Sequence, residues 1–361
     1  MTSHRNGLRL LAASVALCGY GVVSAQPGST ERTRGGAVQS CAAVTVPTCR
    51  IARDLGRGIN LGNMLDAPRE GDWGVKFDPA FIDKVAGSFA TVRLPVRWSN
   101  HAAPTADATL DEAFARHVDR IVDALLARGL YVIIDVHHYT QISGDPQHLN
   151  EFTVDPAVVD IRLVNLWKQI APRYKDRSPK LIFELLNEPH GRLNGEPWNT
   201  LAAKVLAEVR KTNATRAVII GPGEWNSIYE LPKLRLPRDR NLIVAIHNYD
   251  PFSFTHQGVD FMPQFPPGPT CCDAAQRKAI VDALDSARRW NEASGYPVHL
   301  GEFGTYEKAD MTSRETYTRL VRDEAERRGI GWAYWEFASS FGVYSPKEGA
   351  WIEPIRRALL D

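Results

Sequence analysis

Eight short apolar stretches, spaced by amphipathic ones, leave this chain few architectures. They read GRGINLG (56–62), TVRLPV (91–96), YVIIDVH (131–137), LIFELLN (181–187), AVIIGP (217–222), LIVAIHNY (242–249), PVHLGEF (297–303) and GWAYWEF (331–337). Segments of helical period separate most of them, for example LDEAFARHVDRIVDALLARG from Leu110 and AIVDALDSARRWNEAS from Ala279. Strands alternating with helices imply βαβ units and a parallel sheet. Eight such units fit a closed (β/α)8 barrel better than an open sheet. The expected fold class is therefore α/β, a single (β/α)8 TIM barrel domain over residues 51–361. No glycine-rich phosphate loop follows the first strand, which argues against a dinucleotide-binding sheet.

The fourth stretch continues as LIFELLNEPH (181–190), an apolar run that ends on an amide and a carboxylate. In a (β/α)8 barrel the active site lies where the strands end, so a polar group there is a placement rather than a cost. Arg93 sits in the second strand, His137 and His138 finish the third, and Asn187 and Glu188 the fourth. His247 and Tyr249 belong to the sixth, Glu302 to the seventh and Trp335 to the eighth. Singly, each has an ordinary structural explanation: a solvated Glu, a core Trp, an Arg neutralising a buried acid. A barrel gathers all of them around one mouth, and that coincidence points to a shared site. Glu184 and Asp135 lie deeper in their strands and are expected to be paired and structural. Glu336, beside Trp335, is expected either to bind substrate or to cap the rim.

Charge excludes other classes. Lys and Arg total 43 and Asp and Glu 42, so nothing suggests a nucleic-acid partner. The N-terminus reads as an export signal: Arg5 and Arg9, then LLAASVALCGYGVVSA, then the small-residue pattern Val23-Ser24-Ala25. Residues 1–25 are expected to be cleaved near Ala25-Gln26, leaving a secreted or periplasmic protein with no membrane association. Leu17 is a poor residue before a lipidated Cys18. Residues 26–50 are expected to form a flexible arm. Cys41, Cys49, Cys271 and Cys272 favour disulfides in an exported chain, with three pairings open. No His lies at ligand spacing from any Cys, so neither a metal nor another cofactor is expected.

Carboxylates on strands four and seven face each other across an eight-stranded ring. That arrangement suits glycoside hydrolysis, in which one carboxyl protonates the leaving oxygen and the other attacks the sugar carbon. A gap of ~5–5.5 Å gives retention and ~6.5–9.5 Å inversion. The nine tryptophans agree, since indole faces suit flat sugar rings.

The motifs LIFELLNEP, VIIDVHHY, TVRLPVRW, HNYDPFSFTHQG, HLGEFG and WAYWEF, in that order from about Gly56 to about Tyr344, resemble glycoside hydrolase family 5, the clan A family of cellulases and mannanases. GINLGNMLDAP, EGDWGV and YDPFSFTHQG look most like its bacterial endo-β-1,4-glucanases. The resemblance implies Glu188 as general acid/base and Glu302 as nucleophile. It implies Asn187 on the sugar 2-hydroxyl and Arg93 holding Glu302 ionised. Tyr249 would hydrogen-bond the nucleophile and His247 would tune Glu188. His137 and His138 would line the cleavage subsite, Trp335 would be its platform, and Asn63, Trp73 and Trp225 would belong to neighbouring subsites. The Cys271-Cys272 pair and the loop DFMPQFPPGPT depart from the family pattern. The expected partner is a β-glucan or possibly a mannan, met by a monomer. Alternatives are β-mannanase, xyloglucanase or mixed-linkage glucanase activity on the same site, a non-catalytic sugar-binding barrel, or a metal-dependent hydrolase using His137 and His138.

Overall fold

The computed structural model describes residues 47–139, 156–260 and 262–361. Each of the eight apolar stretches supplies one strand: β1 Arg57–Asn60, β2 Thr91–Leu94, β3 Tyr131–Asp135, β4 Leu181–Glu184, β5 Val218–Ile220, β6 Leu242–His247, β7 Val298–Glu302 and β8 Gly331–Tyr334. They pair in sequence order, and β1 closes on β8 in parallel, giving a closed (β/α)8 barrel. The strands stop short of the polar tails of their stretches. β3 ends at Asp135 and β4 at Glu184, so His137, Asn187 and Glu188 stand just beyond the ladder, on the rim.

Helices α1 Pro47–Leu55, α2 Ala80–Ala86, α3 Glu112–Ala127, α4 Pro156–Arg173, α5 Glu196–Arg210, α6 Ala274–Ser294, α7 Met311–Arg327 and α8 Glu353–Leu360 accompany the strands. Their ends follow ordinary capping chemistry. Asp111 accepts N–H bonds from Ala113 and Phe114 to start α3, and Asp273 with Gln276 forms a capping box that starts α6. α6 ends on Gly295 at φ 76, a left-handed position that suits glycine. In α3 the buried residues Ala115, Val118, Ile121, Val122 and Leu125 recur at helical spacing and form its barrel-facing stripe. Between β5 and β6 the connection carries only the four-residue helical turn Gly223–Asn226 and a 3₁₀ helix, Ile228–Lys233; Pro232 within the latter lacks the N–H that a longer helix would use.

Inside the barrel, Ile133, Ile182, Ile219, Ile243 and Ala245 pack with Ala52 and Leu55 of α1. α1 thus supplies apolar side chains to the interior cluster. This corrects the expected arm of residues 26–50 at its end only, over residues 47–50. The chain is already helical from Pro47, because Cys49, Ala52 and Leu55 fall at three-residue spacing and are buried. Residues 1–25 and 26–46, and with them Cys41, lie outside the described residues. Cys271 and Cys272 are disulfide-bonded to each other, the adjacent pairing among those left open. No helix of the described residues is long and apolar enough to cross a membrane.

Above the isoleucine layer the interior turns polar. Asn60 lies beside Arg93 and Asp135 beside Glu184 in the strand register. The interior therefore has an apolar part packed with α1 and a charged part below the rim, and substitutions in the two should have different effects. Leu55→Ala is expected to cost about 2–5 kcal/mol of stability through the cavity it leaves. Urea denaturation should show this as a lower midpoint, with activity per folded molecule unchanged.

Candidate active site

Arg93 organises the site. It is fully buried, so its charge needs partners within hydrogen-bond reach. Nε donates to Glu184 Oε2 at 2.6 Å, Nη1 to Glu302 Oε1 at 2.8 Å and to Asn60 Oδ1 at 3.0 Å, and Nη2 to Asn187 Oδ1 at 2.8 Å. Nη2 also lies 2.9 Å from Asp135 Oδ2. Burial works against the guanidinium's charge, but Glu184, Asp135 and Glu302 outweigh it and hold the pKa well above its ordinary value. Glu184 and Asp135 are thus internal partners of Arg93, as their depth in the strands suggested. Asp135 Oδ2 also faces His137 Nδ1 at 2.7 Å, and His137 Nε2 faces Asn187 Nδ2 at 3.3 Å. His137 is therefore held in the orientation in which Nδ1–H donates to Asp135 and Nε2 accepts from Asn187.

Glu188 and Glu302 converge. A carboxylate oxygen of each, and a ring nitrogen of His247, lie within 4.8 Å of one another. His247 Nδ1 is 2.7 Å from Glu188 Oε1 and 3.6 Å from Glu302 Oε2. Its Nε2 meets Asn226 Nδ2 at 3.2 Å. With Asn226 donating to Nε2, the imidazole proton sits on Nδ1 and points at Glu188. Burial lowers the His247 pKa and favours the neutral ring.

The two carboxyls differ in their partners. Glu302 accepts from Arg93 Nη1 at one oxygen and from Tyr249 Oη, at 2.8 Å, at the other. Burial and the nearby Glu302 raise the Tyr249 pKa far above its usual value, so Tyr249 stays a donor. Burial pushes Glu302 up to about 7 against the pull of His247 and Arg93. Arg93 pulls Glu302 toward its ionised form, the direction expected of it, but burial outweighs that pull. Burial also pushes Glu188 up to about 7, opposed by His190 and Arg93. Two carboxyls this close titrate as a pair. Glu302 accepts from two strong donors, Arg93 and Tyr249, an arrangement that favours its ionised form over that of Glu188. The side chain of Glu188 is also the more open, 24% exposed against 6% for Glu302.

Around the pair runs a cleft of about 1240 Å³ lined by Asn63, Trp73, His137, His138, Asn187, Trp225, His247, Tyr249 and Trp335 along with both carboxylates. Every candidate from the sequence except Arg93 is thus in the cleft wall, and Arg93 lies directly beneath it. Trp335 stacks parallel to His137 at 5.7 Å, and Trp73 meets His138 edge-on at 5.2 Å. Asn63 donates to Ser339 Oγ at 3.0 Å. Glu336 caps the rim: fully buried, it accepts N–H bonds from Ala338, Ser339 and Phe341.

The sequence reading missed several wall residues. His190 donates from Nδ1 to the Glu188 carbonyl at 2.7 Å and stacks under Trp225 at 4.7 Å. Tyr229, Phe252, His256, Val259 and Phe341 also line the cleft, as do Asp260 and Met262 of the divergent loop. His190 and Asn226 were findable, since each neighbours a candidate in NEPH or EWN. The others come from loops whose course only the fold sets.

Residues 56–340 match the family model described as Cellulase (glycosyl hydrolase family 5). The chain is 36% identical to endoglucanase H of Acetivibrio thermocellus over 79% of its own length, and spans 30% of that relative. It is similar to a solved hyperthermophilic endo-β-1,4-glucanase in complex with substrate, at TM-score 0.81 and 38% identity, covering 86% of this chain and 98% of that one. Thermotoga maritima Cel5A in complex with mannotriose matches at TM-score 0.80 and 40% identity, over 86% of this chain and 99% of the other.

Removing the central charge should expose what it balances. Arg93→Met leaves Glu184, Asp135 and Glu302 buried without their cation, at a cost of about 3–5 kcal/mol near neutral pH. Without the cation these carboxyls are protonated in the folded state at pH values where the unfolded chain has released its protons. Stability of the variant then falls as pH rises above the unfolded carboxyl range. Denaturation at pH 5 and pH 8 should show a variant closer to wild type at pH 5.

Proposed function

The chain belongs to glycosyl hydrolase family 5 and is a glycoside hydrolase, and from that premise we propose that it is a retaining endo-β-1,4-glucanase acting by double displacement. The observation that carries this reading is the approach of Glu188 and Glu302 oxygens within 4.8 Å. An approach this close of the nearest oxygens favours the ~5–5.5 Å carboxyl separation of a retaining enzyme over the ~6.5–9.5 Å that leaves room for an inverting enzyme's water.

Glu302, ionised, attacks the anomeric carbon while Glu188 gives its proton to the departing glycosidic oxygen. Once Glu302 is esterified, its negative charge is gone. Glu188 has lost a like-charged neighbour, its pKa falls, and it accepts a proton from the water that releases the sugar. Arg93 and Tyr249 hold the two oxygens of Glu302 in place, and His247 orients Glu188 through its Nδ1–H. Asn187, fixed by Arg93 and His137, presents its amide to the 2-hydroxyl, where a hydrogen bond strengthens in the transition state. His137, backed by the parallel face of Trp335, shapes the cleavage subsite.

A second reading, activity on β-mannan at the same site, draws on the mannotriose complex of a relative 40% identical. We also propose export, on the strength of the charged and apolar leader with its Val23-Ser24-Ala25 end. The mature protein would begin near Gln26, which N-terminal sequencing of the exported protein would check.

Glu302→Gln should abolish hydrolysis even of an aryl glycoside with an activated leaving group. Glu188→Gln should lower polysaccharide turnover roughly 10²–10⁴-fold while sparing the first, aryl-releasing step on an activated aryl glycoside, seen as a burst. Rates on carboxymethylcellulose, barley glucan and mannan assign the backbone sugar, and the first anomer seen by NMR should be β. The pH profile should be bell-shaped, its acid limb from protonating Glu302 and its alkaline limb from deprotonating Glu188. A flat profile, or an α first product, would contradict the mechanism.

A further inference from the structure

Three successive residues on the rim, Glu224, Trp225 and Asn226, have φ of 48°, 57° and 56°. Non-glycine residues seldom adopt this left-handed conformation, and a run of three that includes a tryptophan needs outside support. Each is tied to something different. Trp225 is 47% exposed and lies parallel to His190 at 4.7 Å, and its N–H reaches the Pro189 carbonyl at 3.2 Å. Asn226 is buried and bonds to His247, which bonds to Glu188.

Glu224 is held by Asn194, in the loop after β4, through a reciprocal pair of bonds. Asn194 Nδ2 donates to Glu224 Oε1, and the Glu224 backbone N–H donates to Asn194 Oδ1 at 2.7 Å. The neighbouring Gly223 permits this approach, since a Cβ there would lie 2.6 Å from Asn194 Oδ1. Asn194 itself does not line the cleft; Glu224 and Trp225 do.

Trp225 is on the acid's side of the cleft. It follows β5, next to the strand that carries Glu188, and stacks on a histidine two residues beyond Glu188. Trp335 follows β8, across the ring. Building on the retaining-glucanase reading, we propose that Asn194 is a positioning residue: its two-way bond with Glu224 holds the left-handed turn so that Trp225 presents its face to the sugar units on the leaving-group side. The lock thus governs recognition of long chains without touching substrate.

The test compares a polysaccharide with a substrate that makes no use of that platform. Asn194→Ala should raise KM for carboxymethylcellulose roughly tenfold, the effect of losing a hydrogen-bonded pair, with a smaller change in kcat. An activated aryl β-cellobioside, which offers no sugar to Trp225, should be hydrolysed as by the wild type. Trp225→Ala should reproduce the polysaccharide loss. The exchange Asn194→Asp with Glu224→Gln restores the lock with donor and acceptor swapped, and should recover most of the polysaccharide KM that Asn194→Asp alone loses to carboxylate repulsion. Equal losses on both substrates, no loss on either, or an exchange no better than Asn194→Asp alone would overturn the assignment. A wild-type protein inactive on both substrates would instead overturn the glucanase reading beneath it.

Discussion

A guanidinium carried into a barrel interior brings a desolvation cost that only groups within hydrogen-bond reach can offset, and Arg93 has five. Glu184 and Asp135 face it from β4 and β3, Asn60 from β1, and Asn187 and Glu302 from the rim. This arrangement sets the height of everything above it. Asn187 cannot turn without losing Arg93, His137 is clamped between Asp135 and Asn187, and one oxygen of Glu302 is anchored from below. A shared cation also divides its effect, which explains why burial prevails at Glu302 and why the difference between the two carboxylates lies in their hydrogen bonds.

The rim carries backbone that regular structure would avoid. Asn63, His138, Glu188, Glu224, Trp225 and Asn226 all have positive φ, and sparsely populated conformations of this kind cost of order 1–3 kcal/mol each. Such a rim persists because the surroundings over-determine it. The apolar interior that includes α1, the parallel ladder and the capped helices supply the stability, and the loops use some of it to aim side chains. Close approaches do the same work. A Cβ at Gly62 would lie 2.7 Å from the Trp335 ring, and one at Gly301 would lie 3.0 Å from His247 Nε2; glycine at these places lets the tryptophan and the histidine seat where they are.

The eight strands were legible because a buried parallel strand must be apolar along its length, and a carboxylate or amide at the end of such a run stands out. Glu188, Glu302, Asn187 and Trp335 were found on that signal. Helix α1 was read as arm through residue 50 because its apolar face is short and meaningful only with a barrel to pack on. Asn194 was passed over because nothing local marks an asparagine in a polar loop as a support for something else. Glu336 was left between two roles, since only the course of the chain from Ala338 to Phe341 brings three backbone N–H groups to its carboxylate.

By itself, the chain determines which residues can be strands, that they alternate with helices, and that chemically able side chains stand at strand ends. These follow from local periodicity and from what burial tolerates, and neighbours in sequence carry them. The convergence of Glu188 with Glu302, the partition of one cation among three acids, and the lock between Asn194 and Glu224 were decided only by tertiary structure. Each depends on distances between residues far apart along the chain, and those distances exist only once β8 has closed on β1.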